Sequence, residues 1–185
     1  MKVLNGFTLI EMMVVLAVLA IIVTAAVPGM GSFLDSNKLR GATGDFYADM
    51  QYARSESIKR NINVSVSITS DGGTSWCYGI STNAGCDCTI TDTTDASACV
   101  LPQSGENILK VGVSSEFTGI RLTSPSGSNQ TVATFDPVRG IATTTGSVVF
   151  ESHNNLETHV EVSALGKVNA CTPSGGKSVT GYSTC

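Results

Sequence analysis

From Phe7 to Val27 the chain is apolar except for one ionisable side chain, Glu11, and no further charge appears until Asp35. About 20 apolar residues suffice to cross a bilayer as a helix, so this run limits the fold more than any other stretch. A carboxylate placed in hydrocarbon costs roughly 2.5–3.5 kcal/mol on insertion scales, and such a group is normally functional and paired. Glu11 therefore needs a partner, and the apolar run offers none.

The order of the segments around the run is unlike that of an ordinary secretory signal, in which small residues for cleavage follow the apolar stretch. Met1 to Gly6 is short and carries Lys2, so cleavage after Gly6 keeps the hydrophobic helix in the mature chain. Lys2 before the run and a large body after it fit a cytoplasmic N-terminus and an external body. All six cysteines, Cys77, Cys86, Cys88, Cys99, Cys171 and Cys185, lie in that body. An even count on the external side reads as disulfides in an oxidising compartment. Cys171 with Cys185 is the favoured pair, because it closes a short C-terminal loop containing Pro173, Gly175 and Gly176. The pairing of Cys77, Cys86, Cys88 and Cys99 stays open. Cys86-Asp87-Cys88 lacks the Cys-x₂-Cys spacing of zinc sites, so neither a metal nor a cofactor is read here.

Beyond the run, Leu39, Ala42, Phe46, Met50, Ala53 and Ser57 recur at three- and four-residue steps, which is one face of a helix. One long helix from Phe7 to about Arg60 is predicted, bent or melted near Pro28 to Gly31 because proline breaks a helix interior. Val64, Val66 and Ile68 then alternate with Ser65, Ser67 and Thr69 in a strand pattern. Further strands are predicted at 76–80, 108–113, 117–122, 131–135, 147–151, 159–163 and 167–170. Residues 82–105, rich in Thr, Asp, Ser and Cys, read as a disulfide-pinned surface insertion. Residues 35–60 carry a net +1 and residues 61–185 a net −5. A body of that sign gains nothing from nonspecific attraction to phosphate.

The junction Gly6-Phe7-Thr8-Leu9-Ile10-Glu11 resembles the type IV prepilin leader. The resemblance implies cleavage between Gly6 and Phe7 by a membrane prepilin peptidase and N-methylation of Phe7. It also implies that Glu11 pairs with the N-terminal amine of a neighbouring subunit, and that Pro28 sits at the kink of the pilin helix. An ion pair of that kind offsets much of the cost of burying the carboxylate.

Two later stretches resemble the GspH/FimT/FimU branch of minor pilins and pseudopilins. The first is Tyr52-Ala53-Arg54-Ser55-Glu56-Ser57-Ile58-Lys59-Arg60-Asn61 leading into a strand. The second comprises Phe135-Asp136-Pro137-Val138-Arg139-Gly140 and Ser163-Ala164-Leu165-Gly166-Lys167-Val168. The resemblance implies an α+β, type IV pilin-like fold. A long N-terminal helix, transmembrane in its first half, packs on an antiparallel β-sheet head with disulfides. The implied organisation is a leader at 1–6, a transmembrane assembly helix at 7–30 and a periplasmic head at 31–185, helical to about 60 and β-rich beyond. The chain would sit in the bacterial inner membrane and pass into a pilus or pseudopilus with other major and minor pilins.

His153 and His159 are the only histidines, and no phosphate loop or nucleophile elbow is present. The chain is therefore read as non-enzymatic, a minor pilin that primes or caps type IV pilus assembly. The alternatives are a type II secretion pseudopilin and a FimT-like DNA-binding pilin. Relatives that bind DNA carry Gly-Arg-x-Arg near the C-terminus, whereas here the stretch is Gly166-Lys167-Val168-Asn169. Asn cannot reproduce the bidentate grip of Arg on phosphate, which leaves Lys167 and Lys177 as the candidate DNA contacts and disfavours that reading.

Overall fold

The computed structural model describes residues 7–103, 105–177 and 179–185, with the side chains of 25–29 left aside. The chain divides into two compact units, one ending at Leu34 and the other running Asp35–Cys185.

Helix α1 spans Leu9–Arg60 and is continuous through 25–29, so its backbone is not melted there. The side chain of Pro28 lies outside the described residues, as do Gly6 and the rest of the leader. In the first unit the helix is apolar around its whole circumference and its large side chains are exposed, from Phe7 and Ile10 to Ile22 and Val23. In the second unit the apolar residues narrow to a stripe, and Leu39, Ala42, Phe46, Met50 and Ala53 are all buried.

The strands follow in chain order as β1 (Val64–Ser70), β2 (Trp76–Ser81), β3 (Val100–Gln103), β4 (Glu106–Leu109), β5 (Val111–Val113) and β6 (Arg121–Ser124). After them come β7 (Gly127–Phe135), β8 (Ala142–Thr144), β9 (Ser147–Glu151), β10 (Glu157–Val162), β11 (Val168–Thr172) and β12 (Ser183–Thr184). They form two five-stranded sheets, β5-β2-β1-β7-β8 and β12-β11-β10-β9-β6, with β3 and β4 as a separate hairpin. Pairing is antiparallel throughout except for β11 with β12.

One core joins α1 to both sheets. The ring of Phe46 meets Tyr78 of the first sheet at 4.9 Å and Phe150 of the second at 5.6 Å, both edge-on. Trp76 meets Phe150 at 5.5 Å, and its indole N–H donates to the Ile120 carbonyl at 2.9 Å. Edge-to-face pairs of this kind add about 0.5–1.5 kcal/mol to their area burial.

Strand β1 is buried on both faces, which its alternating sequence does not suggest. Val64, Val66 and Ile68 enter the main core, yet Ser65 and Ser67 on the opposite face are buried as well. Residues 82–99 cover that outer face, and the Gly85 N–H donates to the Ser67 hydroxyl at 3.0 Å. Two disulfides, Cys77–Cys88 and Cys86–Cys99, hold this cap in place. The cystines form a second apolar cluster with Val111 and Val113. Gly79 is required beneath it, since a Cβ there would stand 2.2 Å from Cys99 Sγ. The insertion is thus pinned to the surface by disulfides as expected, and its inner residues Cys86, Cys88, Ala98 and Cys99 are buried against the first sheet while most of residues 89–97 stay exposed.

Other strands shift for local reasons. Of the stretch 117–122, only 121–122 is strand, in β6, and 117–120 forms turns before it, because the Ile120 N–H bonds the Phe117 carbonyl and Gly119 adopts φ +88°. The stretch 108–113 splits at Lys110, whose N–H bonds Cys99 and whose carbonyl accepts from Ile80. Lys110 is where the chain leaves the β3–β4 hairpin and joins β2.

Candidate functional site: the N-terminal segment and the head surface

Thr8 starts the helix. Its hydroxyl accepts the Glu11 N–H at 3.3 Å, which places Thr8 at the N-cap and Glu11 at the third helical position. Thr-x-x-Glu is the pattern of a capping box, a signal present in the sequence that the reading of Glu11 as an isolated charge passed over. A carboxylate in the first turn also sits favourably at the positive end of the helix dipole. Among the described residues the Glu11 side chain has no hydrogen-bond or ion-pair partner, and it is surrounded by exposed Phe7, Leu9, Ile10 and Val14. Phe7 is 79% exposed, one residue ahead of the cap. No helix among the described residues is long and apolar enough to cross a membrane.

In the head, Cys171 is bonded to Cys185, closing the C-terminal segment onto β11. All six cysteines are therefore in disulfides. His159, Glu161 and Cys185 approach one another closely enough to suggest a metal set, within 4.8 Å. Cys185 Sγ is committed to Cys171, so the set offers no thiolate. His153 is exposed, and His159 Nε2 lies 3.9 Å from a Glu157 oxygen, a loose contact across one strand.

The two lysines considered for DNA are not brought together. Lys167 is exposed in the turn after β10, whereas Lys177 bridges to Leu156 just before β10 and donates its ammonium to the Asn154 carbonyl at 3.0 Å. A strand of that length separates them by roughly 20 Å. Asn169 stands opposite Glu161 in the β10–β11 ladder, which puts a carboxylate where a phosphate-binding site needs a cation.

One polar cluster has no counterpart in the sequence reading. Tyr78 donates its hydroxyl to Asp49 at 2.9 Å, and Lys110 Nζ contacts the other Asp49 oxygen at 2.8 Å while lying over the Tyr52 ring. Burial, followed by the Asp49 charge and hydrogen bond, pushes the Tyr78 hydroxyl far above its ordinary range. It is fixed as a neutral donor and serves α1-to-sheet packing instead of proton transfer. Gly112 makes room for it, since a Cβ there would lie 2.3 Å from the Tyr78 ring. The cluster joins residues from three distant parts of the chain, so no local pattern announces it.

A second pairing of charges stands at the end of α1. Glu56 is buried and accepts from Arg60 and, at 3.3 Å, from Lys59. Burial raises the pKa of this carboxyl, but hydrogen bonds and charges from Arg60 and Lys59 outweigh it and hold it below the usual range.

Residues 42–166 match the family model described as type II transport protein GspH, and residues 1–27 match the prokaryotic N-terminal methylation motif. No curated protein matches the chain. No solved structure matches it either. The first match spans more than half of the chain and takes in the helix stripe from Ala42, the cap, all of the first sheet, strands β6, β9 and β10 of the second, and the turns at Gly140 and Gly166. Family members carrying the methylation motif are anchored in the inner membrane, processed by a prepilin peptidase, and assembled with other pilins or pseudopilins. By the fold, the N-terminal motif and the extent of the match, the chain belongs to the GspH family of structural pilins and pseudopilins of type II secretion systems and type IV pili.

Proposed function

We propose that this chain is a structural, non-enzymatic minor pilin that takes part in priming or capping type IV pilus assembly at the inner membrane. Residues 1–6 are its leader, 7–30 its transmembrane and assembly helix, and the residues beyond form a periplasmic head. Cleavage after Gly6 frees the amino group of Phe7, which is then methylated. Glu11 pairs with that amine on a neighbouring subunit.

The observation that carries this reading is the state of Glu11: a carboxylate with no side-chain partner among the described residues, on the first part of a helix where the described large apolar side chains are exposed. A buried carboxylate without a partner is expensive, and an amine from another chain supplies the charge it needs. The cap at Thr8 fixes the first helical turn, so Phe7 and Glu11 are presented in a set register.

The test is Glu11→Ala and Glu11→Gln in the producing cell. Both variants should be processed and membrane-inserted, yet enter sheared filaments at a tenth of the normal level or less, by a difference of about 1.4 kcal/mol or more. Normal incorporation of either would remove the pairing role.

The second reading, a minor pseudopilin of type II secretion, is favoured by the description of the matching family. It uses the same residues in the same way. Restoration of secretion, but not of piliation, when the chain complements deletions of each system would select it. DNA uptake is the weakest of the three readings, given the separation of Lys167 from Lys177 and the Asn169–Glu161 pair.

A further inference from the structure

Two tight turns of the head, each flagged in the sequence and given no role by the assembly helix, lie side by side at the C-terminal end of α1. The first, 136–140, closes through the Gly140 N–H to the Asp136 carbonyl at 2.9 Å, and the second, 163–167, through the Gly166 N–H to the Ser163 carbonyl at 2.8 Å. Both glycines adopt positive φ, +60° and +73°. Their contact is intimate, since a Cβ on Gly166 would stand 2.0 Å from the Gly140 carbonyl oxygen. Arg54 clamps that same oxygen from the helix, with its Nε donating at 2.9 Å. A Cβ on Gly140 would meet Ile58 Cδ1 at 2.7 Å, so Ile58 flanks the pair.

Each turn projects one aliphatic residue and one cation. Val138 and Leu165 are both 77% exposed, next to exposed Ile58, and Arg139 and Lys167 are exposed in the same two turns, while the nearby Lys59 ammonium is engaged by Glu56. An apolar centre flanked by a cation on each turn, on a head whose residues 61–185 carry a net negative charge, is the layout of a protein interface with an apolar middle and a charged rim. Phosphate backbones would use the cations but leave the three aliphatic side chains unburied.

We propose that this paired-turn surface docks the acidic cystine cap of a second copy of the chain. The cap supplies the complement. Residues 82–105 contain Asp87, Asp92 and Asp95 and no Lys or Arg, with Asp92 and Asp95 exposed and Ile90 half-buried. The Asp92 carboxylate accepts from the Thr94 N–H and hydroxyl at 2.9 and 2.7 Å, which fixes its loop and favours its charged form. Turns and cap belong to different elements of one head, so the contact is head-to-tail. A contact of that type joins the heads of two neighbouring copies within the priming assembly. The proposal rests on the filament reading above and gives the heads a contact separate from Glu11.

The experiment uses the full chain in detergent and in membranes, where every native cysteine is already in a disulfide. Chains with Leu165→Cys and Ala96→Cys are mixed and mildly oxidised. A mixed cross-linked dimer is expected, at roughly tenfold the yield of either variant alone. Arg139→Glu with Lys167→Glu should lower that yield about tenfold, and Asp92→Lys with Asp95→Lys on the partner should restore it. Unchanged thermal unfolding of each variant shows that the head is folded. Three results overturn the proposal: no mixed dimer, equal cross-linking of Leu165→Cys to itself, or salt-sensitive retardation of DNA that the double charge reversal abolishes. Absence of the cross-link alongside loss of incorporation by Glu11→Ala removes this contact alone. A cross-link that forms while Glu11→Ala incorporates normally keeps the contact and removes the pairing role.

Discussion

Leu16 and Leu39 are the same residue type on the same helix, and the first is 66% exposed while the second is wholly buried. Glu11 and Glu56 repeat the contrast in charged form. Glu11 has no side-chain partner among the described residues, whereas Glu56 is buried against Arg60 and Lys59 of its own chain. The two parts of α1 therefore have different dependences. Residues before Asp35 expose apolar surface and an unpaired acid, and need a lipid or protein surround to satisfy them. Residues after it spend only one stripe on the core, and each buried polar group there is matched inside the head. A helix that looks uniform in backbone is an assembly element at one end and a core element at the other.

The sharpest way to break this contrast is to apply one kind of truncation to both parts. Phe46→Ala removes a ring that touches Tyr78 and Phe150, and should destabilise the head by about 3–5 kcal/mol in urea unfolding. Ile21→Ala, at an exposed apolar site, should change the same transition by less than about 0.5 kcal/mol while lowering filament incorporation. A large stability loss for Ile21→Ala would mean that the first part packs on its own head, and the contrast would fail.

Much of this division was legible in the sequence, because it rests on local periodicity. The apolar run without a polar face, the stripe from Leu39 to Ala53 and the alternation from Val64 to Ile68 are all patterns of a few residues. The bond between Cys171 and Cys185 was legible for a similar reason, since the two cysteines lie close in sequence around a Pro- and Gly-rich turn. What stayed hidden depends on register between distant strands. Cys77, Cys86, Cys88 and Cys99 pair as they do because Gly79 in β2 leaves space for Cys99, a fact about facing side chains. The burial of Ser67 follows from the cap bonded to it, and polar alternation alone reads as an open face. The β3 and β12 strands are too short and too polar to carry a periodic signal. At the candidate site, Gly6, Phe7 and Glu11 stood out by order and type, whereas the adjacency of Val138 and Leu165 required the fold.

A second effect is confined to the head because all the disulfides lie there. Cys171→Ala with Cys185→Ala opens a loop with a sequence separation of 14 and frees the terminal strand β12 from β11. The expected loss is about 3 kcal/mol, measured as a lower urea midpoint, with no change in membrane insertion. Reduced insertion at unchanged head stability would place the bond's role outside the head and blur the comparison.

The smallest effect compares the two glutamates directly. Glu56 has a depressed pKa in the folded head, so its contribution is present above its unfolded value near 4.5 and fades as pH falls through the lower folded value. The wild-type head should lose stability across that acid window. Glu56→Gln keeps the shape but surrenders the charge, leaving the Arg60 guanidinium, only slightly exposed, with a weaker acceptor. It should cost about 1–2 kcal/mol at neutral pH and flatten the acid limb, since the mutant has already lost what protonation removes. Glu11→Gln, measured in the same chemical unfolding series, should leave both the neutral stability and the acid limb of the head where they are. An acid limb that moves with Glu11 instead of Glu56 would show that the N-terminal carboxylate is satisfied by its own head, and would abolish the need for a partner from another chain.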